Sequence, residues 1–381
     1  MKARLQAIRR ARQMLARDSL AIAQELARPG LSVAEALLVE VMPLLEAARF
    51  LERRAARILA PRRPGGRPFW LAGTRLVVRR VPLGRVLIVG PGNYPLFLPG
   101  VQVLQALAAG NTVLVKPAPG CSAPMRRLAA ALALPPETLR VLDERVEAVA
   151  EALPVDHVVL TGSAQTGRRV AGLLAPALIP SVMELSGQDA MIVLPGADLG
   201  VAARALAFGL RLNAGRSCIA PRRVIVVGDA APFAAAAAPL LPAGSLFAAT
   251  PEEAARERFD ATASLHAVAD EAAALRLANQ SPFALGATVF GPLPAARRVA
   301  AGLRAGCVVL GDMIAPTADP ALPFGGTGQS GWGVTRGAEG LLAMTRPQAV
   351  VERRHFPPVH LQALSARAAP WLARWLRFRH G

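Results

Sequence analysis

The sequence predicts an α/β protein built as two doubly wound α/β domains. Short apolar, β-branched runs alternate with helical segments over most of the chain, the pattern of parallel strands covered by helices on both faces. Apolar residues make up 53% of the 381 residues, enough to bury a substantial core. That length suits one large α/β body with a smaller partner, or two to three domains.

The first 60 residues read as helices, with Leu37, Val41, Leu44, Leu45 and Ala48 at three and four spacing. The loop PRRPGGRP closes them, and TRLVVRRV (74–81) reads as a strand. Then comes a strand at 85–90 and a helix from Pro95 to Ala109, with prolines in its first turns and Gly110 past its end. TVLVKP, LRVLD and HVVLTG follow as strands, separated by helices in SAPMRRLAAALAL and ERVEAVAEAL and followed by one in SAQTGRRVAGLLA. A second βα region begins near Leu185. It holds MIVLP, a long helix to Gly215, RRVIVV, and later ATVFG and CVVLGD between helices. The Ala/Pro-rich stretch 230–244 reads as a helix and loop. Val86 to Val115 carries no charge, but Gly90, Pro91, Gly92, Pro95 and Pro99 interrupt it, so it is not one spanning helix.

Composition excludes several classes. The net charge is +18, yet only Lys2 and Lys116 are lysines among 44 basic residues, and aromatics are 4%. Scattered arginines without aromatic interleaving do not make a nucleic-acid site. Cys121, Cys218 and Cys307 are odd in number and far apart, which fits a reducing, cytoplasmic compartment rather than a disulfide framework. The five histidines pair with nothing at zinc spacing, so no metal is expected. The N-terminus is basic and amphipathic without the apolar stretch of a signal peptide.

Several residues stand out chemically. A full G-x-G-x-x-G fingerprint is absent, because Tyr94-Pro95 follows Gly90 and Gly92. Lys116 nevertheless ends a strand, where α/β sheets bind ligands. Gly162 and Ser163 lie between a strand and a helix start, a place for a phosphate or simply an N-cap. Glu184 sits in a short apolar strand, where desolvation would raise its pKa towards that of a general base. Cys218 follows Asn-Ala-Gly-Arg-Ser at a helix-to-loop junction, and Arg216, Arg222 and Arg223 nearby would favour its thiolate. Cys121 and Cys307 read as structural.

Taken in order, GNYP, VLVKP, LTGS, MELSG, NAGRSC and PFGG resemble the aldehyde dehydrogenase superfamily over residues 5–360, nearest its class 3-like members, which share CIAP. The resemblance implies NAD(P)-dependent oxidation of an aldehyde to a carboxylate. Cys218 would be the nucleophile, Asn93 with the Cys218 backbone N–H the oxyanion holder, and Glu184 the general base. Lys116 would touch the adenosine ribose, and Gly162 and Ser163 the pyrophosphate. Glu257 would hold the nicotinamide ribose and Phe259 the ring, with PFGG (323–326) lining the site. It also implies a cofactor-binding domain to residue 184 and a catalytic domain over 185–345. Oligomerisation strands would lie at 74–81 and 346–360, and hence a homodimer or homotetramer. The basic segment 361–381 is expected to dock as a terminal helix rather than to lie on a membrane surface.

The chain departs from the family at several points. Glu257 follows Cys218 by only 39 positions, where the family has a segment more than twice as long. Ala118-Pro119 follow Lys116-Pro117 where a ribose-binding glutamate is usual, which admits NADP beside NAD. Asp260-Ala261 replace Gly-Pro, and Ser186 and Gln188 replace a glycine and a lysine. Two alternatives therefore stand beside the dehydrogenase: a CoA-acylating relative, and a non-catalytic member that keeps the motif residues.

Overall fold

In the computed structural model, which describes residues 1–65, 73–254, 256–353 and 368–381, the chain opens with helices. These are α1 (Lys2–Arg17), α2 (Ser19–Leu26), α3 (Val33–Ala36) and α4 (Met42–Ile58). Helix α1 buries Ala7, Ile8, Ala11 and Leu15, and α4 buries Leu44, Ala47, Ala48, Leu51 and Ala55, each a single apolar stripe. Ser32 and Glu35 form a reciprocal capping box that starts α3. One π turn, Leu37–Val41, joins α3 to α4. Pro43 has no N–H to give to the carbonyl four residues back, and the Met42 N–H bonds the carbonyl of Leu37, five residues back.

Next come β1 (Thr74–Pro82), β2 (Arg85–Val89), α5 (Phe97–Ala109), β3 (Thr112–Lys116), α6 (Ser122–Leu132), β4 (Leu139–Val141), α7 (Ala148–Glu151), β5 (His157–Gly162), α8 (Ala164–Leu174) and β6 (Ser181–Leu185). Helix α5 is buried along its whole length between helices and sheet, which is why its sequence is apolar all round. The helix read over ERVEAVAEAL shrinks to the single turn α7. The Asp143 carboxylate accepts the Arg145 N–H, and the Glu144 carboxylate turns away to the N–H groups of Gly120 and Ser122.

The third stretch contains β7 (Asp189–Val193), α9 (Leu199–Arg211), β8 (Pro221–Val227), α10 (Ala231–Ala237), β9 (Leu246–Ala248), α11 (Pro251–Ala254), β10 (Ala263–Val268), α12 (Glu271–Asn279), β11 (Phe283–Ala284), β12 (Gly286–Phe290), α13 (Leu293–Ala301) and β13 (Cys307–Leu310). The chain ends with β14 (Thr327–Gly328), β15 (Gly331–Trp332), α14 (Gly337–Ala343), β16 (Thr345–Arg353) and α15 (Ala368–His380).

Two six-stranded sheets result, which is the predicted doubly wound architecture. One runs β15-β6-β5-β2-β3-β4, parallel except that β15 is antiparallel to β6. The other runs β13-β12-β7-β8-β10-β9 and is parallel throughout. The short segment between Cys218 and Glu257 supplies β8 and β9, and β10, just past Glu257, lies between them in the second sheet.

The chain divides into two compact units. Met1–Leu59 with Val81–Arg346 form the first, which contains both six-stranded sheets. Ala60–Arg80 with Pro347–Gly381 form the second. There β1 pairs with β16, Arg79 donates to Gln348 at 2.6 Å, and the Arg75 guanidinium lies 4.0 Å from Glu352. Residues 354–360 of the expected oligomerisation strand, and 361–367 beyond it, fall outside the described residues. Helix α15 has no buried residue, and Trp371, Leu376 and Phe378 are exposed.

Candidate active site

In the first sheet the strand order reverses between β2 and β5, because β3 and β4 lie to one side and β6 to the other. Such a reversal opens a crevice at the carboxyl ends of the strands. A cavity of about 460 Å³ lies there. Gly90 to Asn93 line it from the end of β2, Lys116 from β3, Gly162 and Ser163 from β5, and Glu184 from β6. Cys218 and Phe259 enter the same wall from the other sheet's side of the chain. Seven predicted site residues (Asn93, Lys116, Gly162, Ser163, Glu184, Cys218, Phe259) thus share one cavity, though they span 167 positions of sequence.

Glu257 does not line that wall. Its Oε1 accepts the Ala164 N–H at 3.2 Å, at the first residue of α8. Ser163 caps the same helix, its Oγ accepting from the Thr166 N–H at 3.1 Å. A carboxylate therefore rests where the helix dipole favours an anion. Lys116 is buried, and desolvation lowers its pKa; Glu144 is the foremost of the acids that oppose this.

The thiol is placed by an unusual turn. After α9 the chain makes a tight turn over Leu212–Gly215, in which Asn213 and Ala214 take left-handed φ values of 53°. Asn213 tolerates this conformation, and its side chain is also tied down. Its Nδ2 donates to the Asn93 carbonyl at 2.9 Å, and its Oδ1 accepts from Arg28 Nε at 3.2 Å. Arg28 also donates to the Asn93 carbonyl. Asn93 Nδ2 in turn donates to the Arg216 carbonyl at 2.8 Å, which leaves its second amide hydrogen unspent on that bond. The Tyr94 hydroxyl bonds the Ser217 hydroxyl beside the thiol. A side chain at Gly187 would come within 2.5 Å of the Cys218 carbonyl, so only glycine permits this approach.

Glu184 is 2% exposed, and burial raises its carboxyl pKa against the opposing influence of Arg336 and Thr335. Thr335 Oγ1 donates to its Oε2 at 2.9 Å, while Oε1 is buried without a hydrogen-bond partner. Arg336 stacks 4.0 Å from the Phe324 ring and 5.6 Å from the Phe97 ring, and its Nη1 donates to the Thr317 carbonyl at 2.7 Å.

The expected positive field from Arg222 and Arg223 is not what acts on the thiol; Arg336 is the foremost cation there. Burial raises the Cys218 pKa, Glu184 and Asp189 raise it further, and Arg336 opposes them. Arg222 and Arg223 are themselves buried and spend their donors on carbonyls: Arg222 on Gly215 and Asp260, Arg223 on Gln188, Leu277 and Ala278. They brace the backbone rather than activate sulfur.

A second cavity, of about 160 Å³, reaches the same thiol. Leu38, Met42, Phe97, Phe208, Ile314 and Phe324 are among the apolar residues of its wall, and Arg336 also borders it. Only Phe324 of the PFGG segment lines it; Gly325 packs against the Gly333 carbonyl instead. Cys218 and Glu184 line both cavities.

Sequence reasoning missed Glu40, Tyr94, Thr335 and Arg336. Glu40 is fully buried, and its Oε2 accepts the N–H groups of Leu96 and Phe97 at 3.1 and 2.8 Å, holding the start of α5 just after Asn93. Burial lifts its carboxyl to about 7. Its signal was a lone acid on the apolar stripe of Leu37, Val41 and Leu44; that of Tyr94 was being the only tyrosine in the chain.

Comparison with known proteins bears on this site. The family model described as "Aldehyde dehydrogenase family" matches residues 1–238 and 250–350. A 4,4'-diapolycopene aldehyde oxidase from Methylomonas sp is 30% identical over 380 residues, covering 84% of this chain and 72% of the relative. The crystal structure of a Mycobacterium tuberculosis aldehyde dehydrogenase complexed with NAD+ superposes with a TM-score of 0.85 at 22% identity, covering 93% of this chain and 86% of the other.

Proposed function

Because the chain belongs to the aldehyde dehydrogenase family, an oxidoreductase family acting on aldehydes, we propose that it oxidises an aldehyde to a carboxylate through an acyl intermediate on Cys218. The observation that carries this reading is the convergence of two cavities on one thiol, with Glu184 in the wall of both.

The larger cavity fits a nicotinamide dinucleotide. It lies at the strand-order reversal, Gly162 and Ser163 present a helix N-terminus, and Lys116 supplies a cation. NAD and NADP both suit it, since among the described residues Glu184 is the only carboxylate in its wall. Glu257 holds an amide that a pyrophosphate would also use, so its carboxylate turns aside when the dinucleotide binds. The nicotinamide, when bound, supplies the hydride acceptor that converts the first adduct to a thioester.

The chain's own residues do the rest. Burial, Glu184 and Asp189 all raise the Cys218 pKa, so the thiol proton leaves only as Sγ attacks and passes to water in the larger cavity, which keeps Glu184 unprotonated for the later step. Sγ attacks the carbonyl carbon and forms a thiohemiacetal. The free N–H of the Asn93 amide and the Cys218 backbone N–H hold the developing oxyanion. Glu184 Oε1, buried with no protein partner, then accepts a proton from the water that hydrolyses the thioester. That orphaned oxygen favours water over CoA as the acyl acceptor.

We assign residues 1–184 to cofactor binding and 185–345 to catalysis, and the β1–β16 ribbon to assembly into a homodimer or homotetramer. An aldehyde panel with NAD or NADP, with and without CoA, tests the reading. Nicotinamide reduction without CoA, abolished in Cys218→Ala, is expected. A strict need for CoA selects the acylating alternative. Cofactor binding without any turnover selects a non-catalytic protein.

A further inference from the structure

The smaller cavity is enclosed on most sides by hydrocarbon. Phe97, Phe208, Ile314 and Phe324 form its walls, and Leu38 and Met42 stand at its mouth, 50% and 49% exposed. Leu38 lies in the π turn Leu37–Val41 and Met42 opens α4, so the widened turn presents Leu38, Val39 and Met42 to the cavity together. An apolar floor thus continues outwards into an exposed apolar rim.

The polar groups in this wall are mostly spent. The Tyr94 and Ser217 hydroxyls bond each other. Thr317 Oγ1 donates to the Ile314 carbonyl at 2.7 Å. Glu184 Oε2 is held by Thr335, and a second carboxylate in this small space would face its charge. Among the described residues Arg336 is the one cation in this wall. Its guanidinium is stacked on Phe97 and Phe324, it donates to Thr317, and it is the counter-charge to Glu184. Its Nε is buried and lacks a partner, but its charge already balances Glu184, so a charged substrate tail would have to compete with Glu184 for it.

From this lining we infer that the substrate is an aldehyde on an uncharged, apolar chain, seated between Phe97, Phe208, Ile314 and Phe324 and leaving across Leu38 and Met42. The inference rests on the proposed aldehyde oxidation and names its substrate class. A tail carboxylate would lose its hydration against aromatic and aliphatic walls, with only a guanidinium already paired to Glu184 in return. A methylene entering the same walls is stabilised by leaving water.

The test is a series of straight-chain aldehydes from propanal to decanal, set beside succinic semialdehyde, with the full chain and saturating dinucleotide. We expect kcat/KM to rise by about fourfold per added methylene until the cavity is full, and hexanal to exceed succinic semialdehyde by about a hundredfold or more. In Leu38→Glu, an exposed rim position, the octanal to propanal ratio should fall by about tenfold. A flat series, or preference for succinic semialdehyde, overturns the inference and leaves aldehyde oxidation standing. Calorimetric titration with unreactive analogues, octanamide and succinamate, reads the same cavity without turnover. If no aldehyde is oxidised, the activity reading falls. Tighter octanamide binding then still supports an apolar-chain site, and equal or tighter succinamate binding overturns it.

Discussion

The two cavities that meet at Cys218 are built by opposite means. The larger is assembled at strand ends, from short contiguous motifs whose residues carry backbone amides, a lysine, an amide and a carboxylate. The smaller is assembled from ordinary apolar side chains spread from Leu38 to Phe324, on helices and loops that share no motif. The chemistry common to a family belongs at the first, where strand geometry fixes positions. Selection of a particular substrate is proposed for the second, where any apolar residue of the right size will serve.

Residues shared by both cavities should matter most. Glu184→Gln is expected to lower steady-state turnover by about 10²- to 10⁴-fold while one burst of nicotinamide reduction survives, as stopped-flow absorbance would show. Steady turnover at the wild-type rate would remove Glu184 from the hydrolytic step. Asn93→Ala, which touches only the larger cavity, should reduce kcat by about a hundredfold. It should leave the dependence on aldehyde chain length intact; a changed chain-length slope would mean that the two cavities are not separate in function.

Smaller effects sharpen the division. Glu144 rests on the Gly120 and Ser122 amides and heads the acids acting on Lys116, the residue proposed to meet the adenosine ribose. Glu144→Gln should raise the ratio of NADP to NAD kcat/KM by about threefold by removing repulsion of a third phosphate. An unchanged ratio would place the 2′-position elsewhere. Glu40 supports the loop between the cavities, and its effect appears in stability. Its carboxyl rises from the ordinary carboxylate value to about 7 on folding, so the folded state holds the proton more tightly. That contribution is complete below about pH 4.5 and is lost as pH rises through about 7. Measured melting temperatures should show Glu40→Gln gaining on the wild type by a few degrees between pH 5 and pH 8. A constant difference would show that Glu40 does not titrate there.

The same contrast explains what could be read in the sequence. Asn93, Lys116, Gly162, Ser163, Glu184, Cys218 and Phe259 were legible because each sits in or beside a short motif at a strand end or turn, and they share a cavity in the structure. Phe97, Phe208 and Ile314 were not, because an apolar residue facing a cavity has the same local pattern as one facing core; Phe324 was reached only through the PFGG motif. The arginines near Cys218 misled because proximity in sequence does not say where a guanidinium points. Arg222 and Arg223 lie on β8 and reach backbone carbonyls. Arg336, 118 residues after the thiol, is the arginine that opposes its raised pKa. Strand β10 was hidden too. ASLHAV has only a weak apolar run, yet it lies between β8 and β9 in the sheet.

Intact-mass and peptide mass spectrometry of the Glu184→Gln variant, mixed with hexanal and dinucleotide and quenched in acid, bears most directly on whether one sulfur serves both cavities. The account expects a single acyl group, lighter by two hydrogens than the aldehyde adduct, on the peptide that carries Cys218. An unmodified Cys218, or the acyl group on Cys121 or Cys307, would contradict it.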